Sequence, residues 1–341
     1  MKSYKKYYIL LTILVVLLFA ANVFFGAINI PFSSVLDVIL GRSEQMSTES
    51  IIILNSRIPQ TITALFAGVA LAISGLMLQT LFSNALASPS IMGISSGASM
   101  GVAIVTLFLG GNIASFGIGG QLAIMAASLI GALLVLFAIL FFSLKVRNTV
   151  MLLIIGIMVG YVASSVVSLL TYLSTTEGVY TFVMWGMGDF SSVSSSNLGY
   201  FTCSILVAII IAFLTVKPLN GLLLGESYCE NLGINIKKAR ITILFSTGIL
   251  TAVVTAFCGP ISFIGLVAPH IARLLIGSSD HRALLPTTAL IGGITTLLCN
   301  LLSTTAGGGL IIPLNVITPC LGAPIIIYVI VNRDKIPYFS N

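Results

Sequence analysis

The sequence predicts an all-α protein that crosses a lipid bilayer many times, and three observations carry that prediction. Hydrophobic residues make up 57% of the chain and charged residues 7%, against roughly 25% charged in soluble domains. Positions 58–144 and 283–332 hold no Asp, Glu, Lys or Arg. Short clusters of Gly, Pro, Asn and Ser divide the apolar runs, as turns between spans would. A soluble fold could not cover so much apolar surface with polar side chains. Each crossing helix takes about 20 residues to traverse roughly 30 Å of hydrocarbon, so 341 residues hold about eight to eleven crossings.

Taken in order, the breaks divide a single transmembrane domain, 1–341, into ten expected spans: 8–26, 60–82, 92–110, 120–142, 149–172, 198–216, 240–258, 261–277, 284–303 and 311–331. Lys2, Lys5 and Lys6 precede an apolar run from Tyr7 to Phe25. The run is longer than a secretory h-region and no small-residue cleavage site follows it, so it reads as a retained first helix with its amino end in the cytoplasm. Ten crossings return the carboxyl end to the same side. All of the 15 Lys and Arg except Arg42 and Arg57 then lie inside, as the positive-inside rule asks, while Asp37, Glu44, Glu49, Glu177 and Asp189 lie outside.

Parity gives a separate check. The uncharged run from an outer Arg57 to an inner Lys145 needs an odd number of crossings, and its breaks at Ser83–Ser90 and Gly110–Gly120 make three. The segment 173–197, rich in Ser and Gly, is long enough for a short helix outside the membrane, and Trp185 falls where an outer aromatic belt would lie. The tight place is 241–272, which must cross twice between Arg240 and Arg273. At 1.5 Å per residue two full crossings barely fit, so those helices should be short, tilted or partly unwound around Gly259-Pro260.

The net charge of +6 does not indicate nucleic acid, because the basic residues sit in clusters between apolar runs. Cys203, Cys229, Cys258, Cys299 and Cys320 show no CxxC or metal spacing and read as small packing residues. His270 and His281 lie near the inner side without a Cys or acidic cluster at metal spacing; structural hydrogen bonding or partner contact suits them, and no metal site is expected. The expected spans contain no carboxylate inside the bilayer for a proton or sodium ion to use. There is no GxxxxGK[ST] phosphate loop either. A transporter with neither device needs an energising partner; a passive channel needs none. The polar stretch 217–240, with apolar runs such as Leu222-Leu223-Leu224, is a candidate dock for a protein groove or an ordinary solvated loop. Small residues at Gly68, Ser74, Gly75, Gly93, Gly97 and Gly101 fit close helix packing, or else a pore lined by hydroxyls and backbone.

Several ordered stretches resemble one family. Arg57-Ile58-Pro59-Gln60 is similar to an R-[LI]-P-R entry to the second span. Ser74-Gly75, Gln79 and the run Asn84 to Ser99 resemble an NPLA-[DE]-P-x-x-[LM]-G-x-S-x-G-A element. Gly225 to Asn235 resembles a G-E-x-x-A-x-x-L-G loop, Gly259 to Pro286 is the most specific stretch, and Pro313, Thr318, Gly322, Ala323 and Pro324 resemble the closing signature. Together, from about residue 27 to 333, they resemble the FecCD family of ABC-importer permeases, which serve iron-siderophore, haem and cobalamin uptake.

The resemblance implies a type II ABC importer permease fold in the cytoplasmic (inner) membrane, with both termini cytoplasmic. It implies a homodimer with two ATPase subunits that bind ATP and Mg, no cofactor and no catalysis in this chain, and an extracytoplasmic binding protein that delivers an iron(III) chelate or, alternatively, haem or cobalamin. Iron would cross wrapped in its carrier molecule. Gly225, Glu226, Leu232 and Gly233 would dock the ATPase. Arg57 would pair with a carboxylate of the binding protein, or else be an interfacial side chain reaching for the headgroups. Asn84, Leu86 and Thr149 would form the cytoplasmic gate, and the fifth and tenth spans would line the pathway. Gln60, Thr304, Ala85, Ser88, Cys229 and Asn315 depart from the family's usual residues at their positions.

Overall fold

The computed structural model describes residues 4–42, 47–108, 118–146 and 148–331. Among these residues every regular element is helical. The elements are α1 (Lys5–Phe24), α2 (Phe32–Ile39), α3 (Thr48–Ile52), α4 (Ile58–Leu81), α5 (Ile94–Ala103) and α6 (Ile118–Lys145). They continue as α7 (Thr149–Leu173), α8 (Thr176–Gly186), α9 (Ser195–Leu214), α10 (Val216–Leu222) and α11 (Glu226–Asn231). The chain closes with α12 (Ile236–Cys258), α13 (Ile264–Ile276), α14 (His281–Thr305) and α15 (Leu314–Val331). A π-helical turn, Ile53–Arg57, joins α3 to α4, and a second, Ile104–Phe108, extends α5.

Seven helical segments are long and apolar enough to cross a membrane: α1, the continuous Thr48–Leu81 rod, α6, α7, α9, α12 and α14. Three shorter apolar helices accompany them, Ile94–Phe108, Ile264–Ile276 and Leu314–Val329. Each of the ten stretches expected to span thus contains a helix, with different ends. Lys2, Glu44, Arg333, most of the Gly110–Gly120 break and the end of the 92–110 span lie outside the described residues. The 27–59 connection, expected as an outer loop, holds α2, α3 and the first π-helical turn.

Local chemistry accounts for the helix ends. Asn148, Thr175, Asn235 and Asp280 each accept a backbone N–H in the first turn of α7, α8, α12 and α14, the usual N-cap solution for unsatisfied donors. Gly277 ends α13 in the left-handed region. Between α12 and α13 the helix stops at Gly259-Pro260, the site where crowding in 241–272 predicted unwinding. Gly259 and Phe263 both take positive φ there.

Burial ranks the helices. The apolar window of the α4 rod is 78% buried, whereas that of α1 is 17%. Thus α4 is the central helix, packed against α12, α13 and α14. The small-residue strings are its packing surface. A Cβ at Gly75 would fall 1.7 Å from the Gly265 carbonyl oxygen, and one at Gly68 2.3 Å from that of Gly292. Gly97 and Gly101 meet Gly131 and Ala127 of α6 in the same way. Lipid offers no hydrophobic drive for helix association, so such close backbone approach supplies the dispersion contacts.

Candidate functional site

At one end of the bundle, the stretch 217–240 is structured throughout rather than an open loop. It comprises α10, α11 and the first turn of α12. Gly225 (φ 102°) and Gly233 (φ 73°) bracket α11, conformations that an L side chain resists. Glu226 opens α11 and its Oε1 lies 3.0 Å from Nη2 of Arg240 on α12. Arg240 also donates to the Val146 carbonyl oxygen at the end of α6, at 2.9 Å. Glu226 is half exposed, so the pair contributes on the order of 1 kcal/mol or less and works as an aligner more than as an anchor. Leu224, Tyr228 and Leu232 are exposed on this small unit, while Cys229 is fully buried. Its sulfur packs against Gly221, where an added Cβ would lie 2.6 Å from Sγ. Burial, helped by the Glu226 carboxylate, pushes the Cys229 thiol above its ordinary pKa. It is a packing group. The four dock residues expected from sequence are therefore together on one short helical hairpin.

Asn84 and Leu86 sit in the connection that follows α4. The Asn84 Oδ1 accepts from the Leu86 N–H at 2.9 Å, which turns the chain and leaves Leu86 45% exposed. Ser83, just before, holds φ 46°. Thr149 begins α7 directly after its Asn148 cap, and no hydrogen bond ties it to Asn84 or Leu86 among the described residues. Gly93 (φ 77°) ends this connection against Gly156 and Gly160 of α7, so the α4–α5 connection and α7 are neighbours.

One side of α7 is left without a partner among the described residues. Met151, Ile154, Met158, Tyr161, Leu169 and Tyr172 are exposed at helical spacing. Exposed Ser165 and Ser168 lie among them. On α15 the exposed set is Val316, Cys320, Pro324, Ile327, Tyr328 and Val331. Both surfaces mix apolar groups with hydroxyl or thiol groups and carry no charge.

Arg57 lies at the α4 end away from Asn84, and it is buried, 5% exposed. Its guanidinium donates to the Val23 and Phe24 carbonyls at 3.1 and 2.8 Å and to that of Ile28. These are the last carbonyls of α1 and the turn after it, where a helix end is electronegative. Gln60 and Thr304 are also turned inward. Gln60 donates to Asn300 at 3.0 Å, Asn300 donates to Asn22 at 2.8 Å, and Thr304 donates to the Asn300 carbonyl at 3.1 Å. A cavity of about 140 Å³ lies among Asn22, Arg57, Gln60, Asn300 and Thr304.

Sequence reasoning missed the partners of two residues it had named. Asn315 reaches three partners: it donates to the Gly186 and Pro260 carbonyls at 2.9 and 2.7 Å and accepts from the Ser262 N–H at 3.3 Å. It thereby joins the end of α8, the α12–α13 break and the start of α15. The second is His281, whose ring lies 2.8 Å from the Thr80 hydroxyl and 2.9 Å from Asn220 Oδ1. The departure from Gly at 315 was a signal for the first; for the second, structural hydrogen bonding was expected of His281, but nothing in the sequence marks Thr80 and Asn220 as its partners.

An apolar helical bundle with few charges and a structured polar hairpin at one end defines the class: a multi-pass membrane protein. The chain belongs to the FecCD transport family, whose family model matches residues 13–332. It is 34% identical over 279 residues to the vitamin B12 import system permease protein BtuC of Salmonella paratyphi A, covering 82% of this chain and 83% of the relative. The protein of the same name from Citrobacter koseri is also 34% identical, over 82% of each chain. In three dimensions the fold matches an inward-facing metal-chelate type ABC transporter with TM-score 0.83 and 28% identity, covering 96% of this chain and 99% of that one.

Proposed function

We propose that this chain is the membrane-spanning subunit of an ATP-driven importer of metal chelates, working as a homodimer with two ATPase subunits. The observation that carries the reading is the α10–α11 hairpin. Its shape is fixed by Gly225, Gly233 and the Glu226–Arg240 pair, yet it presents Leu224, Tyr228 and Leu232 to solvent. Exposed apolar side chains on a rigid polar frame suit an apolar groove of a protein partner. On this reading the hairpin faces the cytoplasm and ATP with Mg binds to the partner.

The exposed faces of α7 and α15 then line a pathway between two copies, with Asn84, Leu86 and Thr149 around its cytoplasmic mouth. An uncharged surface of this kind suits a bulky chelate that carries its own metal ligands. The opposite end receives an extracytoplasmic binding protein. Arg57 braces that end from beneath, and pairing with a docking carboxylate would require it to leave the α1 carbonyls. An iron(III)-siderophore complex is the proposed cargo. Cobalamin is the second reading, favoured by the names of the relatives above.

Leu232→Asp tests the dock. Co-purification of the ATPase should fall about tenfold, the equivalent of ~1.4 kcal/mol, with membrane insertion intact; unchanged co-purification contradicts the assignment. Uptake of radiolabelled cyanocobalamin against an iron-labelled hydroxamate siderophore, in cells lacking their own importers, decides the cargo.

A further inference from the structure

The dock hairpin and the α4–α5 connection are joined by a chain of side chains, Asn220–His281–Thr80, in which Asn220 is half-buried and His281 and Thr80 are buried. Asn220 lies on α10, which packs on both α4 and α14. Its Nδ2 donates to the Asp280 carboxylate at 2.7 Å, and its Oδ1 accepts the His281 backbone N–H at 2.8 Å. A carboxylate accepts and an amide N–H donates, so these two contacts fix which way the Asn220 amide points. The Oδ1, 2.9 Å from His281 Nδ1, must then receive the hydrogen on that nitrogen. In a neutral imidazole this leaves Nε2 to accept from the Thr80 hydroxyl, 2.8 Å away.

Thr80 and Gln79 form the last turn of α4, and they hold the start of the next connection. The Ser83 N–H bonds the Thr80 carbonyl at 3.2 Å, and the Asn84 N–H bonds that of Gln79 at 3.0 Å. Gln79 is in turn gripped by Arg273 of α13 at 2.6 Å. Asn84 therefore cannot keep its place if this turn moves. The link is also releasable. The Thr80 hydroxyl has a second acceptor in reach, the Leu76 carbonyl at 3.1 Å, so breaking the contact to His281 does not leave it unsatisfied.

We infer that the Asn220–His281–Thr80 chain is the positioning element that transmits displacement of the dock hairpin to the connection bearing Asn84 and Leu86. The inference rests on the proposed roles of those two regions. The test uses the full permease with its ATPase in vesicles. Cys203 and Cys320 are replaced by Ser, and exposed Ser90, in the same connection, is replaced by Cys as the reporter. The rate at which a water-soluble maleimide labels it is compared with and without ATP.

The parent and Thr80→Ser, which keeps the hydroxyl, should show an ATP-dependent change in rate. Thr80→Val, of equal shape, should lose that change while the ATPase still co-purifies and hydrolyses ATP. Asn220→Ala should lose it from the other end, and it carries the test if Thr80→Val does not insert. A merely structural role would shift the rate without ATP and leave the response to ATP intact. An undiminished ATP response in Thr80→Val, or in Asn220→Ala, overturns the relay and leaves the proposed function standing. A parent that neither retains the ATPase nor responds to ATP removes both.

Discussion

The residues that decide this molecule's shape are its smallest. Gly75 and Gly265 bring α4 and α13 together so closely that one added methyl has nowhere to go. Gly75→Ala should lower stability by ~1–3 kcal/mol, the usual range for overpacking, whereas Gly199→Ala, which meets nothing within 4 Å, should be neutral. Thermal unfolding of the two detergent-solubilised variants checks this, and equal melting temperatures would contradict the packing account. Arg57 makes the complementary point. A guanidinium at the edge of an apolar run reads equally as a docking group or an interfacial one. What decides its place is the set of α1 carbonyls thirty-odd positions earlier in the chain, and no local pattern announces that set.

At the scale of elements, helices were legible wherever the governing force is local or one-dimensional. The charge-free runs marked where the long apolar helices lie. The start expected at 149 is that of α7 after its Asn148 cap, whereas the starts expected at 240 and 284 fall inside the helices that Asn235 and Asp280 cap. Crowding between Arg240 and Arg273 located the break at Gly259-Pro260. Junctions were not legible, because their partners are distant: Asn315 bonds Gly186, 129 positions away, and Thr80 meets His281 across 201. Asn315→Ala would strip partners from the Gly186 and Pro260 carbonyls and the Ser262 N–H. At ~1–3 kcal/mol for a buried unsatisfied group, the junction of α8, α13 and α15 should loosen. Faster amide hydrogen exchange at Ser262 and Asp189, with α4 unaffected, is the expected signature; unchanged exchange would show that the side chain does not hold the junction.

Over the whole molecule, composition alone defined a lipid-embedded bundle. The core built on α4, α12 and α14 leaves α7 and α15 with uncharged exposed faces and sets a rigid polar hairpin at one end. On the proposed reading such a bundle draws its energy through that hairpin. Reconstituted vesicles compare the chain alone with the chain plus its ATPase, binding protein and internal ATP, using labelled cyanocobalamin and iron-siderophore as probes. The account predicts uphill accumulation of one probe in the complete system and none with the chain alone. Uphill accumulation by this polypeptide without its partners would contradict it.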